Sequence, residues 1–331
     1  MNDLFESYLD LIGHTPVVKT SCFDTGLCDL FLKLENRNPG GSIKDRMALF
    51  MIEGAEKRGD LKPGDTIIEA TAGNTGLGLA LVSARKGYPL LLVIPDKMSD
   101  EKVNLLKAMG VEVVMTRSDV EKGHPAYYQD YARTIADSMP NGFYIDQFNN
   151  PDNPLAHEKT TGPEIWEQMK HQVDAIVVGV GSGGTVTGLT RYFTKVKPDI
   201  EIILADPAGS ILKSYAENKP LPKPGSWYVE GIGEDFVPSM VDFSKVKHAF
   251  SITDQESFLT ARELLKNEGI LAGSSTGTLI AAAVRYAREQ KEKKNILTFV
   301  CDSGEKYMSK MYNDAWMKDK GFIEMEHDYE I

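Results

Sequence analysis

Cysteine is scarce in this chain. Cys22, Cys28 and Cys301 are its whole supply, too few and too scattered for a disulfide framework, and Cys22 with Cys28 lacks a second ligand pair at zinc spacing. No structural metal is expected. Basic residues are also in deficit: 37 Lys and Arg stand against 48 Asp and Glu, a net charge of −11. That leaves no basic surplus to release counterions from a phosphate backbone, so a nucleic-acid binder is excluded. Apolar runs stay far short of a membrane span, and no charged leader with an apolar core opens the sequence. A cytoplasmic enzyme or binding protein is the expectation. Its 331 residues, 42% of them hydrophobic, are enough for two domains with a core each.

Short apolar runs alternate with helical patterns. Residues 66–70, 90–94, 111–115 and 143–145 read as strands, separated by helices over 77–86, 101–109 and 127–139. A second series has strands at 175–178, 201–205 and 296–300, with helices over 186–195, 258–266 and 277–289. Strands this apolar, separated by helices, imply an α/β fold whose parallel twisted sheets are covered by helices on both faces. The two series part where Pro and Asn cluster near Asn149 to Pro154, which predicts two domains with a ligand cleft between them. The run from Lys219 to Gly225 reads as a stiff surface loop, and the polar tail from Glu324 is expected to fray.

Four glycine-rich or small-polar turns carry the chemistry. Lys44 lies in Asn38-Pro39-Gly40-Gly41-Ser42-Ile43-Lys44. Ser42 reads as the N-cap of the helix that follows, so Lys44 sits in a first turn beside unpaired N–H groups and the positive dipole end. A solvated lysine is the plain alternative, but this setting suits an amine that loses its proton or forms an imine. Thr71-Ala72-Gly73-Asn74-Thr75-Gly76 joins a strand end to a helix start, an anion site where Asn74 can add a side-chain amide. Gly179-Val180-Gly181-Ser182-Gly183-Gly184-Thr185 is similarly placed. It fits a phosphate monoester. It also matches G-x-G-x-x-G, with Asp206 at the distance of a ribose contact, so a nicotinamide oxidoreductase is a rival reading. Gly273-Ser274-Ser275-Thr276-Gly277 alone reads as a helix cap.

Taken in order, these motifs resemble the pyridoxal-phosphate enzymes of the tryptophan-synthase-β type (fold type II), specifically the cysteine synthase and cystathionine β-synthase family. The resemblance runs from Ile12-Gly13-His14-Thr15-Pro16 to about Phe322. It implies a larger cofactor-binding domain of residues 1–46 with 149–323, a smaller mobile domain of 47–148, and a tail of 324–331. It implies that Lys44 binds pyridoxal 5′-phosphate as an imine and later moves the substrate α-proton. Asn74 would meet the ring oxygen, Gly181, Ser182, Gly183, Gly184 and Thr185 the phosphate, and Ser275 the ring nitrogen. Thr71, Ala72, Gly73, Thr75, Gln147 and Gly231 would receive the substrate. Ala72 is a departure, because many relatives carry serine there. A homodimer is implied as well.

Within the family, Asp206 to Leu212, Glu230 to Pro238, Asp302 to Met308 and Asn313 to Met317 look nearer the cystathionine β-synthase branch. Gly304-Glu305 resembles the cysteine synthase version of its turn. Neither the haem-binding extension nor the regulatory pair of that branch is expected around this core. The resemblance thus predicts replacement of the β-substituent of serine or O-acetylserine by a thiol, homocysteine or sulfide. A cofactor-retaining interaction protein without catalysis is the remaining rival. Glu234 and Asp235, in a turn at the cleft mouth, are candidates to receive the ammonium group of homocysteine.

Overall fold

Parallel strands with continuous aliphatic stretches organise the chain into two sheets. The computed structural model describes residues 4–324 apart from 72, 97–99 and 121–122. Ala72 and tail residues 325–331, both singled out above, lie outside the described residues. The first half of the chain forms β1 (Val17–Thr20), β2 (Asp29–Lys33), α1 (Lys44–Arg58), β3 (Thr66–Ala70), α2 (Asn74–Lys86), β4 (Leu90–Pro95), α3 (Asp100–Ala108), β5 (Glu112–Thr116), α4 (Tyr128–Ser138) and β6 (Gly142–Tyr144). The middle adds α5 (Asp152–Ala156), α6 (Gly162–Gln168), β7 (Ala175–Val178), α7 (Gly184–Val196), β8 (Glu201–Pro207) and α8 (Leu212–Ala216). The rest holds β9 (Val246–Ile252), α9 (Asp254–Glu268), α10 (Ser274–Arg288), β10 (Asn295–Phe299) and α11 (Asp314–Asp319).

Strand order is β5-β4-β3-β6 in the smaller sheet and β1-β2-β10-β7-β8-β9 in the larger. All pairings are parallel except β1 with β2. Central strands show why. Every residue of β3 and of β7 is buried, as sheets covered on both faces require. Alternation then splits the smaller core in two: Ile67, Leu90, Leu92 and Ile94 pack against α1 and α2 residues such as Met51 and Leu79. Ile68, Ala70, Leu91 and Val93 face the other way, toward Ala132 and Ala136 of α4. The larger sheet has one contiguous core running from Leu30 through Ile176 and Leu204 to Phe299.

Elements at the sheet edges escaped the sequence pattern. In β9 only Ile252 is buried, and Lys247, His248 and Ser251 are exposed, which weakens its apolar signal. The short strands β1 and β2, and the helices α5 and α6 joined by a π-turn over His157–Thr161, were not foreseen either. Several predicted helices begin earlier than expected: in α2 at Asn74, α7 at Gly184 and α10 at Ser274 the glycine, amide and hydroxyl residues form the first helical turn, and α9 starts already at Asp254, capped by Thr253.

One polar cluster is buried where α1 meets the larger sheet. Arg46 donates through Nε to Glu35 at 2.7 Å and through Nη1 to Glu164 at 2.7 Å. Lys33 donates to Glu164, to Gln168 and to the Thr15 carbonyl, each at 2.9 Å. The side chains of Arg46, Glu35 and Lys33 are at most 1% exposed. The guanidinium and Lys33 hold Glu164 ionised against burial, its carboxyl pulled down to about 2. Replacing one member leaves charges stranded, so Arg46→Met is expected to lower the unfolding free energy by about 3–5 kcal/mol. Denaturant titration measures this, and a loss below about 1 kcal/mol would show that the cluster does not anchor α1.

Candidate active site

Strands β3, β7 and β10 all point their carboxyl ends at one cavity, the place where ligands bind in α/β sheets. Its volume is about 380 Å³. Lys44, Thr71, Gly73, Asn74, Thr75, Gln147, Gly181, Ser182, Gly183, Gly184, Thr185, Gly231 and Ser275 all line it. Positions more than two hundred residues apart in sequence are thus brought together.

Lys44 is the first residue of α1. Ile43, not Ser42, holds the N-cap position, in helical conformation; Ser42 Oγ instead accepts the Lys44 N–H at 3.2 Å. The α1 start meets α2 at backbone distance: a Cβ on Gly78 would lie 3.1 Å from the Lys44 carbonyl oxygen. That approach sets Asn74 and Lys44 side by side. The Lys44 amine makes no hydrogen bond among the described residues. Burial lowers its pKa, while the acidic groups Cys301, Asp302 and Glu234 around it act against the shift wherever they ionise. A lowered amine is the nucleophilic form that imine chemistry needs. Cys301 beside it stays a thiol, pushed up to about 12 by burial.

The Asn74 amide is held at both ends. Its Nδ2 donates to Asp302 Oδ2 at 2.8 Å, and its Oδ1 accepts from Lys306 at 2.6 Å. Tyr307 also donates to Asp302, at 2.8 Å. These three partners were read from the sequence only as branch markers. Thr75 donates to Gln147 Oε1 at 2.7 Å, and the Gln147 N–H donates to buried Glu69 at 2.9 Å. Gln147 Nε2 makes no protein hydrogen bond among the described residues. Ser275, in the first turn of α10, lies beside the Cys301 thiol in the cavity lining and draws its pKa down against the effect of burial.

The loop before α7 has the form of an anion cradle. Gly183 takes φ +90° as the N-cap and no side chain caps the helix, so its first N–H groups are open. Asn153 supports it from behind, donating to Ser182 Oγ at 2.9 Å and to the Gln147 carbonyl at 2.8 Å. Its Oδ1 is buried without a partner among the described residues, and a Cβ on Gly184 would clash with that oxygen. Only glycine fits there. Thr185 Oγ1 lies 3.3 Å from Nε2 of His157, a ring held neutral because burial and the charges of Arg46 and Lys44 push it down to about 3. Open N–H groups and two hydroxyls at one end, an unpartnered amine in the middle and a hydroxyl at Ser275 fit a phosphorylated aldehyde such as pyridoxal phosphate.

Asp206 does not fit the nicotinamide reading. It stands outside the cavity lining, where Oδ2 accepts the Lys213 N–H at 2.8 Å and Oδ1 is buried without a partner among the described residues. The acidic pair is split as well: Glu234 lines the cavity and Asp235 does not.

Residues 8–302 match the family described as pyridoxal-phosphate dependent enzyme. The chain belongs to that family. Cystathionine beta-synthase of Oryctolagus cuniculus is 44% identical over 321 residues, 96% of this chain and 58% of that protein. Cysteine synthase A of Escherichia coli K12 is 42% identical over 312 residues, 93% of this chain and 95% of that protein. The chain thus spans little more than half the length of the first and nearly all of the second. Among solved structures, an O-acetylserine dependent cystathionine beta-synthase from Helicobacter pylori superposes with a TM-score of 0.84 at 36% identity, covering 93% of this chain and 98% of that one. A hydrogen sulfide-producing enzyme from Fusobacterium nucleatum gives 0.85 at 38%, covering 92% and 100%. This pyridoxal-phosphate enzyme has the fold type II architecture, and the oxidoreductase reading is overturned.

Removing one hydroxyl from the cradle tests where the cofactor phosphate binds. Thr185→Ala is expected to weaken retention of pyridoxal phosphate by about 1.5–3 kcal/mol, the worth of a hydrogen bond to a charged group, with the fold unchanged. Equilibrium dialysis reads this directly; unaltered affinity would relocate the phosphate.

Proposed function

We propose that this enzyme replaces the β-substituent of L-serine or O-acetyl-L-serine with a thiol, homocysteine being the preferred acceptor and cystathionine the product. Bound pyridoxal phosphate supplies an electron sink that acidifies the substrate Cα–H. Lys44 would hold the cofactor and, once released by the substrate, carry the α-proton. The loop N–H groups with Gly181 to Thr185 would fix the phosphate, and Asn74, immobilised by Asp302 and Lys306, would face the ring oxygen. Ser275 would face the ring nitrogen, where a hydroxyl does not enforce protonation as a carboxylate would, and this favours loss of the β-group over transamination. Thr71, Gly73, Thr75 and the Nε2 of Gln147 would receive the substrate carboxylate.

The observation favouring homocysteine over sulfide is a side pocket of about 80 Å³. It shares Gly73, Asn74, Glu230 and Gly231 with the main cavity and adds Leu77, Leu105, Leu106 and Lys306. An apolar wall with both signs of charge on its rim suits a short aliphatic thiol ending in an amino-acid group. Sulfide has no use for such room. The same reading takes residues 47–148 as a unit that closes over the substrate to keep water out, in a cytoplasmic homodimer.

Two measurements test the reading. Lys44→Ala is expected to abolish turnover and the borohydride-sensitive visible band while leaving far-ultraviolet circular dichroism unchanged; more than trace activity would remove Lys44 from the reaction. Assays pairing each donor with each thiol should give the higher kcat/KM with homocysteine. Leu77→Trp, which fills the side pocket, should then shift the homocysteine-to-sulfide ratio at least tenfold toward sulfide. Preference for sulfide in the parent enzyme would make it a cysteine synthase.

A further inference from the structure

Glu234 carries a carboxyl that no hydrogen bond holds among the described residues. Its backbone is clamped: the Glu234 N–H donates to Ser210 Oγ at 3.1 Å, its carbonyl accepts from Ile211 N–H at 3.1 Å, and Gly233 before it takes φ +86°. Its side chain, by contrast, projects into the cavity without a hydrogen bond among the described residues. Oε1 lies 3.9 Å from where a Cβ on Gly181 would stand, above the phosphate cradle. Lys44 and Glu234 are close enough across the cavity to shift each other's titration. A rigid backbone aiming a lone carboxyl at the reacting region is the arrangement of a general acid.

We propose that the Glu234 carboxyl protonates the departing hydroxyl of a serine donor and recovers its proton from the incoming thiol. This deepens the β-replacement reading and rests on it. Lys44 Nζ takes the α-proton, and the Cα–H electron pair forms a Cα–Cβ double bond. The Cβ–O bond breaks with its pair going to oxygen, which accepts the Glu234 proton and leaves as water. Sulfur then bonds to Cβ while the S–H proton passes to the Glu234 carboxylate, and Lys44 returns its proton to Cα. Acid and base are separate groups, as in sites where two environments push pKa values apart.

The charges around Glu234 agree. Asp235 in its own loop, Asp206 from β8, Lys44 from α1, and Tyr127 and Tyr128 at the start of α4 are the titratable groups that face it. Burial first, then Asp235 and Asp206, push the carboxyl up to about 8 against the pull of Lys44. At neutral pH it is therefore protonated: a proton donor, and a poor receptor for the ammonium group of homocysteine. Acetate leaves from O-acetylserine without needing a proton, so this acid matters for one donor and not for the other.

Glu234→Gln in the holoenzyme, assayed with L-serine and with O-acetyl-L-serine at a fixed thiol, tests the proposal. Donor kcat/KM reports the steps up to release of the leaving group. The serine-to-O-acetylserine ratio is expected to fall about 100-fold, the low end of what general acids contribute. Serine kcat/KM in the parent should decline above about pH 8 as the acid ionises, and this limb should vanish in the variant. Infrared difference spectra should show a protonated-carboxyl band at neutral pH that the variant lacks. Equal loss with both donors, or no missing band, overturns the proposal and leaves β-replacement standing. A parent enzyme that uses neither donor overturns β-replacement and this proposal together.

Discussion

A buried guanidinium organises the molecule. Arg46 sits two residues after Lys44 on α1 and reaches Glu35, which follows β2, and Glu164 on α6. Thr160 in the π-turn accepts from it too, at 3.0 Å. Burial of this many charges stabilises little in net terms, since desolvation offsets most of the attraction. What the cluster does is fix one geometry. Alternative positions of α1 would leave Glu35 or Glu164 charged and unpaired, so the helix that presents Lys44 has a single acceptable register against the larger sheet. Lys33, from β2 itself, extends the same constraint to the Thr15 carbonyl beside the segment that begins the chain's ordered core.

The site's electrostatics follow from the arrangement. Burial, helped by Arg46 and Lys44, keeps His157 neutral, and a neutral imidazole can share a hydrogen with Thr185 without placing a further cation against the anion cradle. Deeper in the cavity the sign reverses. Asp302 raises the Lys44 pKa, as Glu234 does once it ionises, but burial is the larger influence and the amine comes out below its ordinary value. The acid residues thus moderate the downward shift that burial imposes on the amine.

Much of this was legible in sequence, for identifiable reasons. Central strands such as β3 and β4 are continuous apolar runs between glycine-rich turns, a strong signal, and the turns after β3 and β7 carry small polar residues because backbone N–H groups must stay open there. Lys44, Asn74 and the 181–185 loop stand together in the cavity for that reason. Helix starts were read late because Asn74, Gly184 and Ser274 look like loop residues, although a first turn left free for a ligand needs no helix former. Edge strand β9 and the α5–π–α6 segment had no periodic signal to offer. The supports were least visible: Asn153, Glu69 and His157 matter through contacts with residues up to 78 positions away, and nothing in a single sequence marks an asparagine as the brace behind a glycine.

Asn74 shows how the two sheets depend on each other. It belongs to α2, which packs in the smaller core, while Asp302, Lys306 and Tyr307 follow β10 of the larger sheet. Both ends of one amide are therefore satisfied only when the smaller unit is seated on the larger. Gln147 makes a second connection of the same kind, since its side chain accepts from Thr75 on α2 while its carbonyl is held by Asn153 on α5. Displacing the smaller unit would leave Asp302 buried with one donor fewer; its Oδ1 already has none. An unsatisfied buried carboxylate is costly, so the seating of the smaller sheet on the larger is favoured by the groups that the proposed reading assigns to the cofactor ring. On that reading, seating and ring orientation would be one event, because Asn74 keeps both its partners only while the two sheets are packed together.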